Sequence, residues 1–342
     1  MYVKEKVKSL PSTPGVYLMK DSQQTIIYVG KAKNLKKRVQ SYFYQSKAHS
    51  PKVKKMVSTI KDLETIHTDT EFEAFMLECK LIKKIKPYYN RKMKNPQSYT
   101  YITVRSDKGL RRLDLTDSPA DGNLHFGPFV NIHTVERALQ GLKDTFKINC
   151  CGRANQNTAC LNYSLGLCIG ICLGGPALVE YNMIIDKIIA LFNGSDMSIL
   201  KEIEQKMQVA AQQFDFKTAA KVRDSLDGIN FLLYKERVIE FTEANQNIVV
   251  MEDLDETTFK FFLIKGNKVL FSRKYNRGEA DLSEMTVQII NTFNQNEPPL
   301  IISRNDLDEA QIIYSYLKSS QCRYIIIPED KVVQSSVISE LF

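Results

Sequence analysis

Apolar and polar positions along the chain repeat with two different periods, and the changes of period divide it into segments. Residues 14 to 30 hold two β-prone runs, Val16-Tyr17-Leu18 and Ile26-Ile27-Tyr28-Val29. The polar stretch Asp21-Ser22-Gln23-Gln24-Thr25 separates them, which predicts a hairpin. Asn34 is suited to cap a helix running to about residue 44, and a second helix is predicted over 71–86, ending before Pro87. Residues 100–147 are mixed: a strand at 101–104, a turn-rich stretch through Pro119 and Pro128, then a helix over 134–146. After a cysteine-rich loop come helices over 177–192, 197–213 and 215–234, the first ended by Gly194. The last hundred residues alternate: strands at 248–252, 259–265 and 268–275, a helix over 282–295, a strand at 300–303, a helix over 306–318 and a strand at 324–328.

These elements predict an α/β multidomain protein. Its parts are an N-terminal α/β domain (1–98), a linker region with the cysteine-rich loop (99–176), a helical region (177–236) with a hairpin at 197–234, and a C-terminal α/β domain (237–342). A chain of 342 residues is long enough to divide in this way, because single cores stop growing at roughly 250 to 300 residues. The most apolar helical stretch, 181–192, is too short to span a bilayer and contains Asp186 and Lys187, and the N-terminus alternates charge with apolar residues. A cytoplasmic protein with no membrane partner is the expectation.

Charge sharpens the division. Residues 1–100 hold 21 Lys and Arg against 8 Asp and Glu, whereas the remaining residues hold 26 against 31. The basicity therefore belongs to one domain, the footprint of a polyanion partner or of a solvated lysine-rich surface.

Candidate chemistry falls in the same basic domain. Arg38 and Tyr42, four residues apart on the predicted helix, share a face, and Lys31 lies just before that helix, so a guanidinium, a phenol and an ammonium are expected beside Tyr17 and Tyr28. Equally, Arg38 is one charge of the run Lys36-Lys37-Arg38 on a solvated face. Glu78 shares a helical stripe with Phe75, Ile82 and Ile85, so a carboxylate interrupts an apolar face; an exposed edge position is the plainer reading. Phosphodiester hydrolysis needs a positioned water, a proton acceptor, a cation for phosphate charge and usually a divalent metal. These residue types supply such a set.

Five of the seven cysteines lie within 150–172. Cys160, Cys168 and Cys172, with Cys151 or Cys150 as a fourth, suit a structural zinc or an iron–sulfur cluster, and spacing does not separate the two. Cys79 and Cys322 read as buried apolar residues. Stripes at helical spacing, Ile203, Met207 and Ala210, then Ala219, Val222, Leu226 and Ile229, flank the turn Phe214-Asp215-Phe216. Such stripes are ordinarily core, yet a lone two-helix hairpin buries little of its surface and can pair with another.

The paired tripeptides Gly15-Val16-Tyr17 and Tyr28-Val29-Gly30 resemble the signature of GIY-YIG endonucleases. With Leu10 to Lys20, Ile27 to Phe43 and the segment Glu73 to Asn90 around them, the N-terminus is closely similar to the UvrC family. The resemblance implies a metal-dependent DNA endonuclease in which Glu78 holds one Mg²⁺ or Mn²⁺, Tyr28 accepts the proton of water, and Arg38 with Lys31 steadies the scissile phosphate. Tyr17, Tyr42 and Asn90 would complete the pocket. A basic role for Tyr28 calls for nearby positive charge, expected from Lys31 and the metal. Cys160 to Cys172 resembles the family's cluster segment, which implies a [4Fe–4S] cluster on Cys151, Cys160, Cys168 and Cys172, with zinc as the alternative. Residues 200–233 resemble the UVR motif by which UvrB and UvrC associate, which implies partner contacts from Phe214, Phe216, Ala219, Ala220 and Arg223. The expected task is incision 3′ to a lesion in damaged double-stranded DNA during nucleotide excision repair, with a UvrA-loaded UvrB. A noncatalytic adaptor binding DNA and UvrB, or a stand-alone GIY-YIG enzyme of mobile-element type, are the alternatives. Because the sequence stops at Phe342, before a second, RNase H-like nuclease and a helix-hairpin-helix pair, short Cho-type members of the family are the expected likeness, with a truncated UvrC-like chain as the alternative.

Overall fold

A computed structural model describes residues 2–44, 49–91, 93, 99–107, 109–118, 122–129, 131–150, 154, 156–294 and 306–328. The chain forms two compact units, one of residues 1–96 together with 240–342, the other of residues 97–239.

The first part of the first unit runs α1 (Tyr2–Lys8), β1 (Gly15–Lys20), β2 (Ile26–Ala32), α2 (Leu35–Phe43), α3 (Pro51–Thr59), β3 (Asp62–His67) and α4 (Glu71–Ile85). The expected hairpin is present, Tyr17 opposite Gly30 and Leu18 opposite Val29, and β3 pairs antiparallel on the other side of β1, giving the order β2-β1-β3. A central strand is covered on both faces, which is why β1 is buried almost throughout. Tyr17 and Met19 pack with Leu35, Val39 and Tyr42 of α2, while Val16 and Leu18 pack with Ala74 and Ile82 of α4. Asn34 caps α2 as expected, its Oδ1 accepting from the Lys37 N–H at 2.8 Å.

α1, α3 and β3 are not among the expected elements. β3 is an edge strand whose residues 64–67 are half-buried or exposed, so its hydrophobic signal reduces to Leu63. α3 begins on the Ser50 cap with Pro51 in its first turn, but only Met56 is buried, and five polar or charged positions mask the period.

The second unit contains β4 (Thr100–Asp107), β5 (Leu110–Thr116), β6 (Leu124–Phe129), α5 (Ile132–Thr145), the one-turn α6 (Leu161–Ser164), a 3₁₀ turn at Ile171–Leu173, α7 (Pro176–Phe192), α8 (Ser198–Gln212) and most of α9 (Phe216–Glu243). Its sheet, β5-β4-β6, has two more strands than expected, and α9 continues nine residues beyond its predicted end.

The rest of the first unit is β7 (Asn247–Asp253), β8 (Thr258–Lys265), β9 (Lys268–Asn276), α10 (Leu282–Phe293), α11 (Leu307–Leu317) and β10 (Arg323–Ile327), with an antiparallel sheet of order β10-β7-β8-β9. Period-two alternation divides its faces. Val249, Met251, Phe261 and Leu263 pack on Met285 and Ile289 of α10, and Ile248, Val250, Phe262 and Ile264 pack on α11 and on Phe72 and Cys79 of α4. α4 thus serves two sheets at once. The strand expected at 300–303 lies outside the described residues. Among the described residues no helix is long and apolar enough to cross a membrane.

Candidate active site

β2 is the outer strand of its sheet, so the backbone groups that β1 does not use need other partners. Three groups supply them in succession. The Tyr89 N–H donates to the Ile27 carbonyl (2.9 Å). The Asn90 amide brackets Val29, with Oδ1 accepting from its N–H (3.0 Å) and Nδ2 donating to its carbonyl (2.9 Å). The Lys31 N–H donates to Glu78 Oε1 (3.0 Å). A helix carboxylate and a side-chain amide thereby stand in for a fourth strand, and both flank Tyr28.

The two signature glycines are steric requirements of this arrangement. A Cβ on Gly30 would lie 2.3 Å from the Tyr17 hydroxyl, and one on Gly15 would lie 2.4 Å from the Ile66 carbonyl oxygen. Gly30 lets the Tyr17 ring lie flat across β2, and Gly15 lets β3 approach β1.

Three tyrosines converge above β2. The rings of Tyr17, Tyr28 and Tyr42 are 6.0 to 6.3 Å apart in each pairing. Tyr17 and Tyr42 are buried, and their hydroxyls share a hydrogen bond of 3.0 Å. Tyr28 is only half-buried, so its phenol is the accessible one of the three. Arg38 lies with its guanidinium 5.1 Å from the Tyr42 ring centre, as the four-residue spacing predicts. Burial, the neighbouring Tyr42 and the Glu78 carboxylate push the Tyr28 phenol above its ordinary range, and the Arg38 charge opposes them. Burial likewise raises the Glu78 carboxyl, against the Lys31 N–H and the Lys31 and Arg38 charges.

Two placements differ from expectation. The Lys31 ammonium turns away from the tyrosines, bonding Glu71 Oε1 at 2.6 Å and lying 4.4 Å from the Phe75 ring centre, so Arg38 is the cation that eases Tyr28. Asn90 spends both ends of its amide on Val29 and holds the strand rather than lining a pocket. Sequence reasoning also passed over Thr70 and Glu73. Their spacing is the capping-box signature, and the box is formed at the start of α4.

The donors suit a hard divalent cation. Glu78 Oε1 is engaged by the Lys31 N–H, while Oε2 has no hydrogen-bond partner among the described residues. Mg²⁺ is typically held by one or two carboxylates, with water and substrate phosphate completing its shell.

In the second unit, Cys150 Sγ and Cys168 Sγ are 3.1 Å apart and the Gly170 N–H donates to Cys168 Sγ at 3.3 Å. Cys168 and Cys172 are buried, Cys160 is half-buried at the start of α6, and Cys151 lies outside the described residues. No group of three or more His, Cys, Asp or Glu placed to hold a metal occurs among the described residues, so the four-thiolate set is not assembled by them. Cys79 is buried as expected and Cys322 half-buried.

The hairpin α8–α9 is not a free-standing pair. Ile203, Leu226 and Ile229 lie in the core of the second unit with residues of α5 and α7, so the stripes are core of their own chain, the ordinary of the two readings, rather than a face for a second hairpin. The tip is what remains open: Phe214 is 79% and Phe216 65% exposed, Phe214 with φ +58°, and their rings meet edge-on. Ala219 and Ala220 are half-buried and Arg223 is exposed beside them.

A hairpin with tyrosine and glycine at both strands, an arginine on the following helix and a carboxylate on a helix at the strand edge define a GIY-YIG-type domain. Comparison with known families gives a UvrC-like GIY-YIG domain over residues 13–91, the middle domain of UvrC/Cho excinucleases over 99–191 and the UvrB/UvrC motif over 198–230. The chain belongs to the UvrC family. It is 34% identical to UvrABC system protein C of Alkaliphilus oremlandii over 98% of its own length and 51% of the relative's. It is 36% identical to that of Ligilactobacillus salivarius over 91% and 53%. The chain thus spans about half the length of these relatives. Among solved structures, the magnesium-bound GIY-YIG N-terminal endonuclease domain of UvrC from Thermotoga maritima is 40% identical, covering 26% of this chain and 97% of that one, with a TM-score of 0.24.

Proposed function

We propose that the chain is a divalent-metal-dependent DNA endonuclease that makes a single-strand incision, 3′ to a lesion, in nucleotide excision repair together with UvrB. The observation that carries this reading is the grouping of Tyr28, Arg38 and Glu78 around one strand edge, the three held there by independent elements. The relatives' designation as UvrABC system proteins supports the repair context, and the match of 198–230 to the UvrB/UvrC motif supports the partner.

The chemistry follows from the side chains. Arg38, solvent-accessible and cationic, binds a phosphate of the strand and offsets the charge that grows on it during attack. Tyr28 stands at the accessible corner of the tyrosine cluster and receives the proton of the attacking water, passing its own phenolic proton to solvent. Because its phenol is held above the ordinary range, Tyr28 is neutral at pH 7 and acts as a relay. A divalent cation held by Glu78 would supply Lewis-acid stabilisation of the leaving oxygen and would offset the carboxylate charge that adds to burial and Tyr42 in raising the Tyr28 phenol. Water's oxygen bonds to phosphorus, the bond to the 3′ oxygen breaks, and the products are a 3′ hydroxyl and a 5′ phosphate. Tyr17, Tyr42, Asn90 and Lys31 position these groups.

For the cysteine segment, the close pair Cys150 and Cys168 supports a metal-binding role shared with Cys160, Cys172 and Cys151, as an iron–sulfur cluster or zinc; no step of incision is assigned to it. Iron and zinc analysis of the anaerobically purified chain decides it, a metal-free preparation counting against the role. Incubation with a divalent cation and a lesion-bearing duplex, with and without UvrA and UvrB, tests the incision. Cutting by wild type and none by Glu78→Gln is expected, while DNA binding without cutting would leave the adaptor role.

A further inference from the structure

α4 is held from both sides. Ala74, Glu78 and Ile82 face the hairpin sheet, whereas Phe72, Met76 and Cys79 are covered by the C-terminal sheet and α11. Phe72 stacks on Tyr316, ring centres 4.0 Å apart and planes within 5°, and meets Phe262 edge-on at 5.3 Å. Into this apolar contact β8 introduces one charge. The Lys260 side chain is only 8% exposed, and its ammonium lies 2.6 Å from Asp69 Oδ2 and 2.8 Å from Glu73 Oε1.

A lysine buried this far is costly unless paired, and an apolar residue of similar volume often packs as well or better. What an apolar residue would not do is fix two carboxylates. Glu73 is the third residue of α4. Its Oε2 accepts from the N–H groups of Asp69 (3.1 Å) and Thr70 (3.2 Å), and Thr70 Oγ1 accepts from the Glu73 N–H (3.0 Å). Lys260 therefore grips the cap of the helix that carries Glu78. Farther along the same helix Lys83 pairs with Glu309 of α11. Between these two ties lie Glu71, bonded to the Lys31 ammonium, and Glu78, bonded to the Lys31 N–H.

We propose that Lys260 is a positioning residue for Glu78: the C-terminal sheet, through the Lys260 ion pairs with Asp69 and Glu73, sets the height and rotation of α4 against β2 and so the place of the carboxylate that takes the divalent cation. The inference rests on the reading of Glu78 as the metal carboxylate. It gives the C-terminal sheet and its helices a task at the nuclease site although their described residues contribute no side chain to it.

The test titrates Mn²⁺ into the full chain and follows the free-ion electron paramagnetic resonance signal, comparing wild type with Lys260→Met, Lys260→Arg, Glu73→Gln and Glu78→Gln. Wild type is expected to bind an ion that Glu78→Gln lacks. Lys260→Met is expected to weaken that binding about tenfold, the lower end of the effect of losing an outer partner of a ligand, with Lys260→Arg restoring most of it. DNA affinity at fixed salt is expected to stay as in wild type. Mn²⁺ affinity in Lys260→Met and Glu73→Gln equal to wild type, with only a lower melting temperature, would overturn the inference while the reading of Glu78 stood. Equal binding by wild type and Glu78→Gln would overturn both. Should Lys260→Met fail to fold, Glu73→Gln, which keeps an oxygen for the helix cap, carries the same comparison.

Discussion

At Glu78 the two carboxylate oxygens have different surroundings: Oε1 completes the edge of β2, while Oε2 is available to a cation. A replacement that keeps the shape and loses the charge therefore separates the two tasks. Glu78→Gln is predicted to reduce metal-dependent nicking at least a hundredfold while changing stability by no more than about 1 kcal/mol, since the amide oxygen still accepts from Lys31. Nicking rates and thermal melts of one preparation check it. The raised carboxyl fixes the sign of a pH effect. Metal binding requires the ionised form, so cation affinity should fall on acidification at a pH above the ordinary carboxylate range; a midpoint at or below that range would contradict the burial seen here. Tyr28→Phe, which removes only the phenolic oxygen, should abolish cutting with DNA affinity unchanged, and substantial residual cutting would reduce Tyr28 to packing.

The grouping of Tyr28, Arg38 and Glu78 was legible through the distinctive motif around them, since spacing alone left Arg38 equally on a solvated face and Glu78 more plainly at an exposed edge. The direction of the Lys31 ammonium and the task of Asn90 were not, since both depend on which backbone groups of β2 lack a partner, a property of strand order rather than of local pattern.

At the scale of elements, legibility followed burial. β1, β2, α2 and α4 each present apolar residues to a core; α2 and α4 were expected nearly residue for residue, and β1 and β2 as shorter runs that the strands extend to Gly15–Lys20 and Ile26–Ala32. β3 and α3 lie at the margin with one buried hydrophobe each, and no periodicity survives. The hairpin α8–α9 was expected at the right residues, and of the two readings of its apolar stripes the ordinary one holds, because they are core of the second unit. Two substitutions follow in opposite directions. Ile229→Ala should destabilise by about 2 to 5 kcal/mol through a cavity, as measured by denaturant unfolding. Phe214→Ser with Phe216→Ser should leave stability within about 0.5 kcal/mol, because both rings are exposed, and should weaken UvrB-dependent recruitment to DNA. A stable double variant recruited as well as wild type would remove the tip from the interface.

At the scale of the whole molecule, the charge asymmetry was visible in the sequence, whereas the partnership of residues 1–96 with 240–342 was not. A helix face carrying Phe72, Phe75, Met76 and Cys79 reads as ordinary amphipathicity, and nothing local states that its cover comes from residues some 170 to 250 positions later. If the chain binds DNA as proposed, the surplus of Lys and Arg in residues 1–100 is predicted to carry most of the nonspecific affinity. Binding to undamaged duplex should therefore fall steeply and linearly on a double-logarithmic plot against salt, and equally for wild type and Glu78→Gln.

The most direct measurement uses a lesion-bearing duplex labelled at each end, incubated with UvrA, UvrB and either wild type or Glu78→Gln, with Mg²⁺ present or chelated. The predicted result is a single nick 3′ to the lesion that requires wild-type chain, Mg²⁺ and UvrB, with Glu78→Gln bound to the same DNA and uncut. A nick that persists in Glu78→Gln or in chelator, or an intact duplex under every condition, would contradict it.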